Sequence, residues 1–154
     1  MRLALTRRAD YAIRACLHLA TLEHGEPVPS RVIAKAMDIP VRFLPQILGD
    51  LARASVVDSV SGQRGGYRLA RPPAGLSLLD CIEAVEGPSI SAHCVLETRA
   101  CRRDSPCAVH PAWIEAQEGF VAALARQSLA EVAARFTGGP VMDGFADPGR
   151  SAPR

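Results

Sequence analysis

The sequence predicts a mainly α-helical fold carrying one small β-hairpin. Three observations lead there. Apolar residues recur at helical spacing in six separate stretches, and a strand-like pattern occurs only once, folded about a glycine-rich turn. Helix-starting and helix-stopping residues also fall between those stretches. The 154 residues are 48% hydrophobic but only 5% aromatic, so the core must be built chiefly from Leu, Val, Ile and Ala. This is the size of one ordinary domain, or of a compact domain with an appended helix.

Thr6 can cap a first helix running to about Leu22, with Ala9, Ile13, Cys16, Leu17 and Ala20 along its apolar side. His24-Gly25-Glu26-Pro27 ends it. Ser30 is expected to cap a short helix over Arg31 to Met37, with Val32, Ile33 and Ala36 inward, and Asp38-Ile39-Pro40 makes a tight link. A third helix is expected from about Val41 to Ala54 on the face Phe43, Leu44, Ile47, Leu48 and Leu51. Pro45 sits awkwardly in it, because its missing N–H matters a turn into a helix, and a later start or a 3₁₀-like first turn would accommodate it. Val56–Val60 and Tyr67–Leu69 read as two strands joined by Ser61-Gly62-Gln63-Arg64-Gly65-Gly66. Ser77, with Asp80 three residues on, opens a helix on Leu78, Leu79, Ile82 and Val85 that Gly87-Pro88 stops. Pro111 suits the first turn of a long helix to about Gln127, lined by Trp113, Ala116, Phe120, Val121 and Leu124. Ser128 restarts a short helix, Leu129 to Phe136, and the Gly, Pro, Asp and Ser content from Thr137 onward reads as a loose tail.

Two short helices joined by a three-residue link, then a hairpin, have the proportions of a winged helix-turn-helix. Charge agrees with a polyanionic partner. Residues 1–75 carry eleven basic against six acidic side chains, a net of +5, whereas residues 76–154 net −3. On this reading 1–75 is a winged helix-turn-helix DNA-binding domain. Residues 76–136 hold a cysteine loop and further helices, the long C-terminal one foremost, to which the family resemblance described below assigns dimerisation, and 137–154 form a flexible tail. Arg42 and Gln46, at the start of the third helix, are the candidates for base edges, since Arg pairs with guanine and Gln with adenine. Arg64 and Arg68 belong to the wing, and Arg7 and Arg8 begin the first helix as candidate phosphate partners.

The longest apolar run is far short of the ~20 residues that cross a membrane, and no apolar secretion segment follows Met1. The expectation is therefore a cytoplasmic protein that does not bind membranes, where thiols stay reduced. Cys94, Cys101 and Cys107 lie within fourteen residues as C-x6-C-x5-C, with His110 three residues further on and Arg99, Arg102 and Arg103 between them. Such a loop presents three soft thiolates, favoured by the neighbouring positive charge, to a metal. Cluster iron prefers thiolates. Structural zinc with Cys3His, or thiol-based sensing with no cluster, is the competing reading, although the short paired spacings usual for zinc are absent. Cys16 and Cys81 belong to apolar helical faces and read as small buried residues. The histidines at 18, 24, 93 and 110 form no catalytic constellation with a nucleophile, so an enzyme is not expected. An electron carrier would leave the helix-turn-helix and hairpin without a purpose.

The order of these elements resembles the bacterial regulator family that includes the iron–sulfur regulator IscR and the nitric-oxide-sensing repressor NsrR. The resemblance runs from about Met1 to Phe136. Its most specific pieces are Leu5-Thr6-Arg7-Arg8-Ala9-Asp10-Tyr11-Ala12, Gly62 to Leu69, Leu78 to Gly87 and the three-cysteine loop. It implies a transcriptional regulator, a repressor by preference, that binds a palindromic operator in double-stranded DNA as a homodimer with crossing C-terminal helices. It also implies an iron–sulfur cluster on Cys94, Cys101 and Cys107, sensing redox, nitric oxide or cluster status. The first cysteine spacing is one residue longer than is usual in that family. The fourth ligand has two matches: His110, as in the IscR-like members, which would suggest a 2Fe-2S cluster, and Asp10 from the partner subunit, as in the NsrR-like members, which would allow 4Fe-4S. His110, and with it 2Fe-2S, is the preferred assignment. In the IscR pattern a Ser stands where this chain has Arg42, a Glu where it has Pro45 and a wing Arg where it has Ser61, so that protein's operator does not carry over.

Overall fold

A computed structural model describes residues 5–22, 25–89 and 108–136. Within these the chain forms α1 (Arg7–Ala20), α2 (Ser30–Ala36), α3 (Leu44–Arg53), β1 (Val57–Val60), β2 (Gly66–Leu69), α4 (Leu78–Glu86), α5 (His110–Arg126) and α6 (Leu129–Arg135), with a 3₁₀ turn at Pro73–Gly75. The mainly helical architecture with one antiparallel hairpin is the one the periodicity predicts. The tail from Thr137 and the loop that holds Cys94, Cys101 and Cys107 lie outside the described residues.

Side-chain caps set several boundaries. The Thr6 hydroxyl accepts from the Ala9 N–H. Ser77 with Asp80, and Ser128 with Glu131, form complete capping boxes, each satisfying two otherwise orphan donors. Ser30 does not cap α2: it is the first helical residue, and Pro29 stands at the cap without a side-chain bond. The inward face of α2 is also displaced from expectation. Ile33, Ala34 and Met37 are buried, while Val32 and Ala36 face out. Seven residues are two turns, too few for periodicity to fix the rotational phase. α3 starts at Leu44, three residues later than the apolar pattern suggests, which puts Pro45 in the first turn, where its lost N–H has no intrahelical partner to miss. Arg42 and Phe43 consequently lie in the turn ahead of the helix, and Phe43 is 43% exposed, not in the core.

α1 is the hub of the molecule, packing against α2, α3, α4, α6 and β2. One apolar cluster runs from Ala9 through Leu17, Ile33, Leu48 and Leu51 to Leu76, Cys81, Ile82, Val85 and Leu129. The core is thus continuous across residues 75–76. Ser77 and Ser128 bridge as an isolated antiparallel pair, with Leu78 N–H on the Gln127 carbonyl and Leu129 N–H on the Leu76 carbonyl. These bonds fasten the start of α4 to the α5–α6 corner. α5 differs from the other helices in that none of its residues is buried.

The hairpin pairs Val57 with Leu69 and Asp58 with Arg68. It is anchored to the body by a bridge between Val28 and Tyr67. Gly66 has a positive φ of 159°, and a Cβ there would meet the Val28 carbonyl oxygen at 2.3 Å. The close approach of these backbones therefore requires glycine.

Candidate nucleic-acid interface

α1 and the head of α3 converge on one surface. Between them lies a groove of about 350 Å³ lined by Arg7, Arg8, Tyr11, Arg42, Phe43, Gln46 and Ile47. The structure thus brings together four of the six residues that the sequence nominates for DNA: Arg7, Arg8, Arg42 and Gln46. All four are exposed. Arg42 lies over the Phe43 ring, its guanidinium carbon 4.7 Å from the centroid, and Phe43 stacks on Tyr11 at 6.2 Å and 23°. The guanidinium is therefore partly pre-positioned by a cation–π contact that leaves its fork of donors for another partner.

Arg8 is bound into the fold. It pairs with Asp50 of α3, which is only 5% exposed and is shared with Arg53. This three-residue knot ties α1 to α3 and leaves one net positive charge at its exposed end. Asp50 was not among the nominated residues. Its position on the α3 side that bears Ile47 and Leu51 signals a carboxylate needing a buried partner.

The two wing arginines have different surroundings. Arg64 is exposed at the hairpin tip, between Gly62 and Gly65. Arg68 lies 3.6 Å from its cross-strand neighbour Asp58 and donates to the Gly25 carbonyl at 3.3 Å, so it braces the wing against the loop after α1.

Asp10 and His110 are both described. The Asp10 carboxylate is held at both oxygens by Arg14, at 3.0 and 2.8 Å, and Arg14 is itself buried and donates to the Met37 carbonyl. Recruiting Asp10 to iron would strip a buried guanidinium of its counter-charge, a costly exchange. His110 is the half-buried first residue of α5, three residues beyond Cys107 in sequence. Cys94, Cys101 and Cys107 lie outside the described residues.

Cys16 and Cys81 are both fully buried, one on α1 and one on α4. A hydrogen bond with Cys81, and then burial, push the Cys16 thiol well above its usual range. They fit the role of packing residues and offer no reactive thiolate. His18 is half-buried, its Nε2 closed off from water without a partner among the described residues, and burial lowers its basicity.

A family model described as Rrf2, iron-dependent transcriptional regulator, matches residues 5–135. The protein rrf2 of Nitratidesulfovibrio vulgaris is 29% identical over 128 residues, covering 83% of this chain and 85% of that protein. A helix-turn-helix-type transcriptional regulator of Mycobacterium tuberculosis strain H37Rv is 39% identical over 87 residues, and there the chain spans only 54% of the relative's length. Among solved structures, CymR, the global cysteine regulator of B. subtilis, superposes with a TM-score of 0.72 at 25% identity, over 87% of this chain and 98% of that one. IscR of T. potens gives 0.69 at 25% identity, over 86% and 88%. These relatives are regulators and not enzymes. With its winged helix-turn-helix and a family match spanning nearly every described residue, the chain belongs to the Rrf2 family of helix-turn-helix, DNA-binding transcriptional regulators.

Proposed function

We propose that this regulator binds a palindromic operator as a homodimer and is governed by an iron–sulfur cluster held by Cys94, Cys101, Cys107 and His110. The observation that carries the DNA contacts is the groove between α1 and α3, where the Arg7, Arg8 and Arg42 side chains surround an accessible, partly apolar channel. Arg42 and Gln46 address base edges in the major groove, and Arg7 and the exposed side of Arg8 address phosphates. Arg64 reaches the backbone or minor groove from the wing tip. Arg68 holds the wing in position and gives the duplex less, because Asp58 and the Gly25 carbonyl already engage it.

The donor chemistry fits a cluster. Three thiols and an imidazole suit a 2Fe-2S centre, and the Asp10–Arg14 pairing favours His110 as the fourth ligand. When bound, such a group supplies a redox- and nitric-oxide-responsive tie. The chain's own contribution is geometric. α5 begins at His110, so the ligand set and the long helix share a residue, and restraint at one end of α5 bears on how its outer face meets a second copy. α5 carries Trp113, Ile114, Phe120 and Val121 and has no buried residue, and a second copy would cover that face, while Leu124 packs on the core of its own chain. A regulator acting in this way works where DNA and reduced thiols coexist, in the cytoplasm.

A second reading has support of its own. CymR, the global cysteine regulator of B. subtilis, is among the structural neighbours, and so is an oxidised form of S. aureus CymR. The loop thiols would then act without a cluster. Iron and acid-labile sulfide analysis with a visible spectrum, on protein purified without oxygen, separates the two. The cluster reading expects two irons and two sulfides per chain and a brown colour that Cys101→Ala abolishes. Colourless, iron-free protein after reconstitution would leave the thiol reading.

A further inference from the structure

The head of α3 carries apolar surface that phosphate and polar base contacts leave unused. Val41 and Phe43 flank Arg42 in sequence and are 58% and 43% exposed. The adjoining groove has Tyr11, Phe43 and Ile47 in its lining beside the arginines. Isolated exposed apolar residues need no explanation. Here, however, they bracket the guanidinium best placed to reach a base, and Phe43 is held between Tyr11 and Arg42 by the two ring contacts already described. A ring so held keeps its exposed part in a fixed place. In the major groove a duplex offers one apolar group, the C5 methyl of thymine, among edges that otherwise display hydrogen-bond donors and acceptors. An apolar side chain facing the cytosine amino group would instead strip it of water without replacing the hydrogen bond.

We propose that Phe43, assisted by Val41, reads thymine through its C5 methyl group, so that each half-site contains a thymine next to the base pair addressed by Arg42. The proposal rests on the base-contact reading given above and names what that interface prefers.

The test uses the full chain. Duplexes are selected from a random pool, and each thymidine of the preferred sequence is replaced in turn by deoxyuridine, which removes only the methyl group. Affinity is read by fluorescence anisotropy. At one thymine or more per half-site the replacement should weaken binding about fourfold, the factor equivalent to ~0.8 kcal/mol for one buried methyl. With Phe43→Ala protein the thymine and uracil duplexes should bind alike, while Phe43→Leu keeps part of the difference. Helical circular dichroism and a single cooperative melt should be retained in both variants, which verifies folding, because Phe43 lies outside the core. Uracil tolerated at every position by the unaltered protein would overturn the proposal. So would a penalty that persists undiminished in both Phe43→Ala and Val41→Ala. If no duplex is preferred over the pool, the base-contact reading itself fails, and this proposal with it.

Discussion

Asp50 is nearly buried between two arginines of unequal exposure, Arg8 at 43% and Arg53 at 77%. The carboxylate, not either guanidinium, holds the knot. Asp50→Ala should lower stability by about 1–3 kcal/mol in urea titrations, below the cost of breaking a fully buried pair because both arginines can turn to water. It should also free Arg8 and steepen the salt dependence of DNA binding. Burial lowers the basicity of His18 in the folded chain, so the unfolded chain takes up its proton first. Stability from this group is complete above the ordinary imidazole range and is lost as the pH falls through it, and His18→Gln should flatten that part of a melting-temperature profile. Cys16 has the opposite displacement, and its thiol and that of Cys81 should stay silent towards a thiol reagent at pH 8 until denaturant is added. The sequence already marked both cysteines as core residues from their apolar faces. It could not reveal that Asp10 is committed to Arg14, because an acid in a first helical turn has a sufficient reason in the helix dipole alone.

Helices and strands were legible where local chemistry is decisive and less so where it is ambiguous. The Ser77–Asp80 capping pattern, the helix-restarting Ser128 and the Gly-rich turn place α4, α6 and the wing closely, since each signal favours a particular backbone geometry. The apolar pattern starts α3 three residues early, because Val41 and Phe43 continue it, although Pro45 points to the observed start at Leu44. The same continuation predicts a core position for Phe43, which is exposed. At the wing, Gly66→Ala should set the new methyl against the Val28 carbonyl, an atom of the main chain that cannot swing aside. A cost on the order of 1–3 kcal/mol is expected, with a fall in melting temperature and weaker DNA binding. The structurally quieter Gly62→Ala has open space but a φ of 108°, so it should cost less and act mainly through the tip that carries Arg64.

At the scale of the whole molecule, charge polarity and element order together made the class of protein legible. The basic half contains the α1–α3 groove, and one core joins it to α4 and α6. α5 packs against α4 and sets Leu124 on the shared core, yet over about 25 Å of helix at 1.5 Å per residue it has no fully buried side chain. Its pattern of apolar residues reads the same whether the covering surface is in the same chain or in another, which is why the sequence alone could not decide between them. Phe120→Glu should convert a dimer to a monomer in sedimentation equilibrium while leaving the helical circular dichroism near its original level. Loss of the second reading head should then weaken operator binding by a hundredfold or more, on the order expected when an intramolecular second contact is removed. On the proposed function, the state of the cysteine loop sets DNA affinity. The most direct measurement is an anaerobic anisotropy titration of one selected operator, made on the same preparation before and after chelation of its iron. A change of at least tenfold, absent in Cys101→Ala, is predicted. Superimposable curves for iron-loaded and iron-free protein would contradict it.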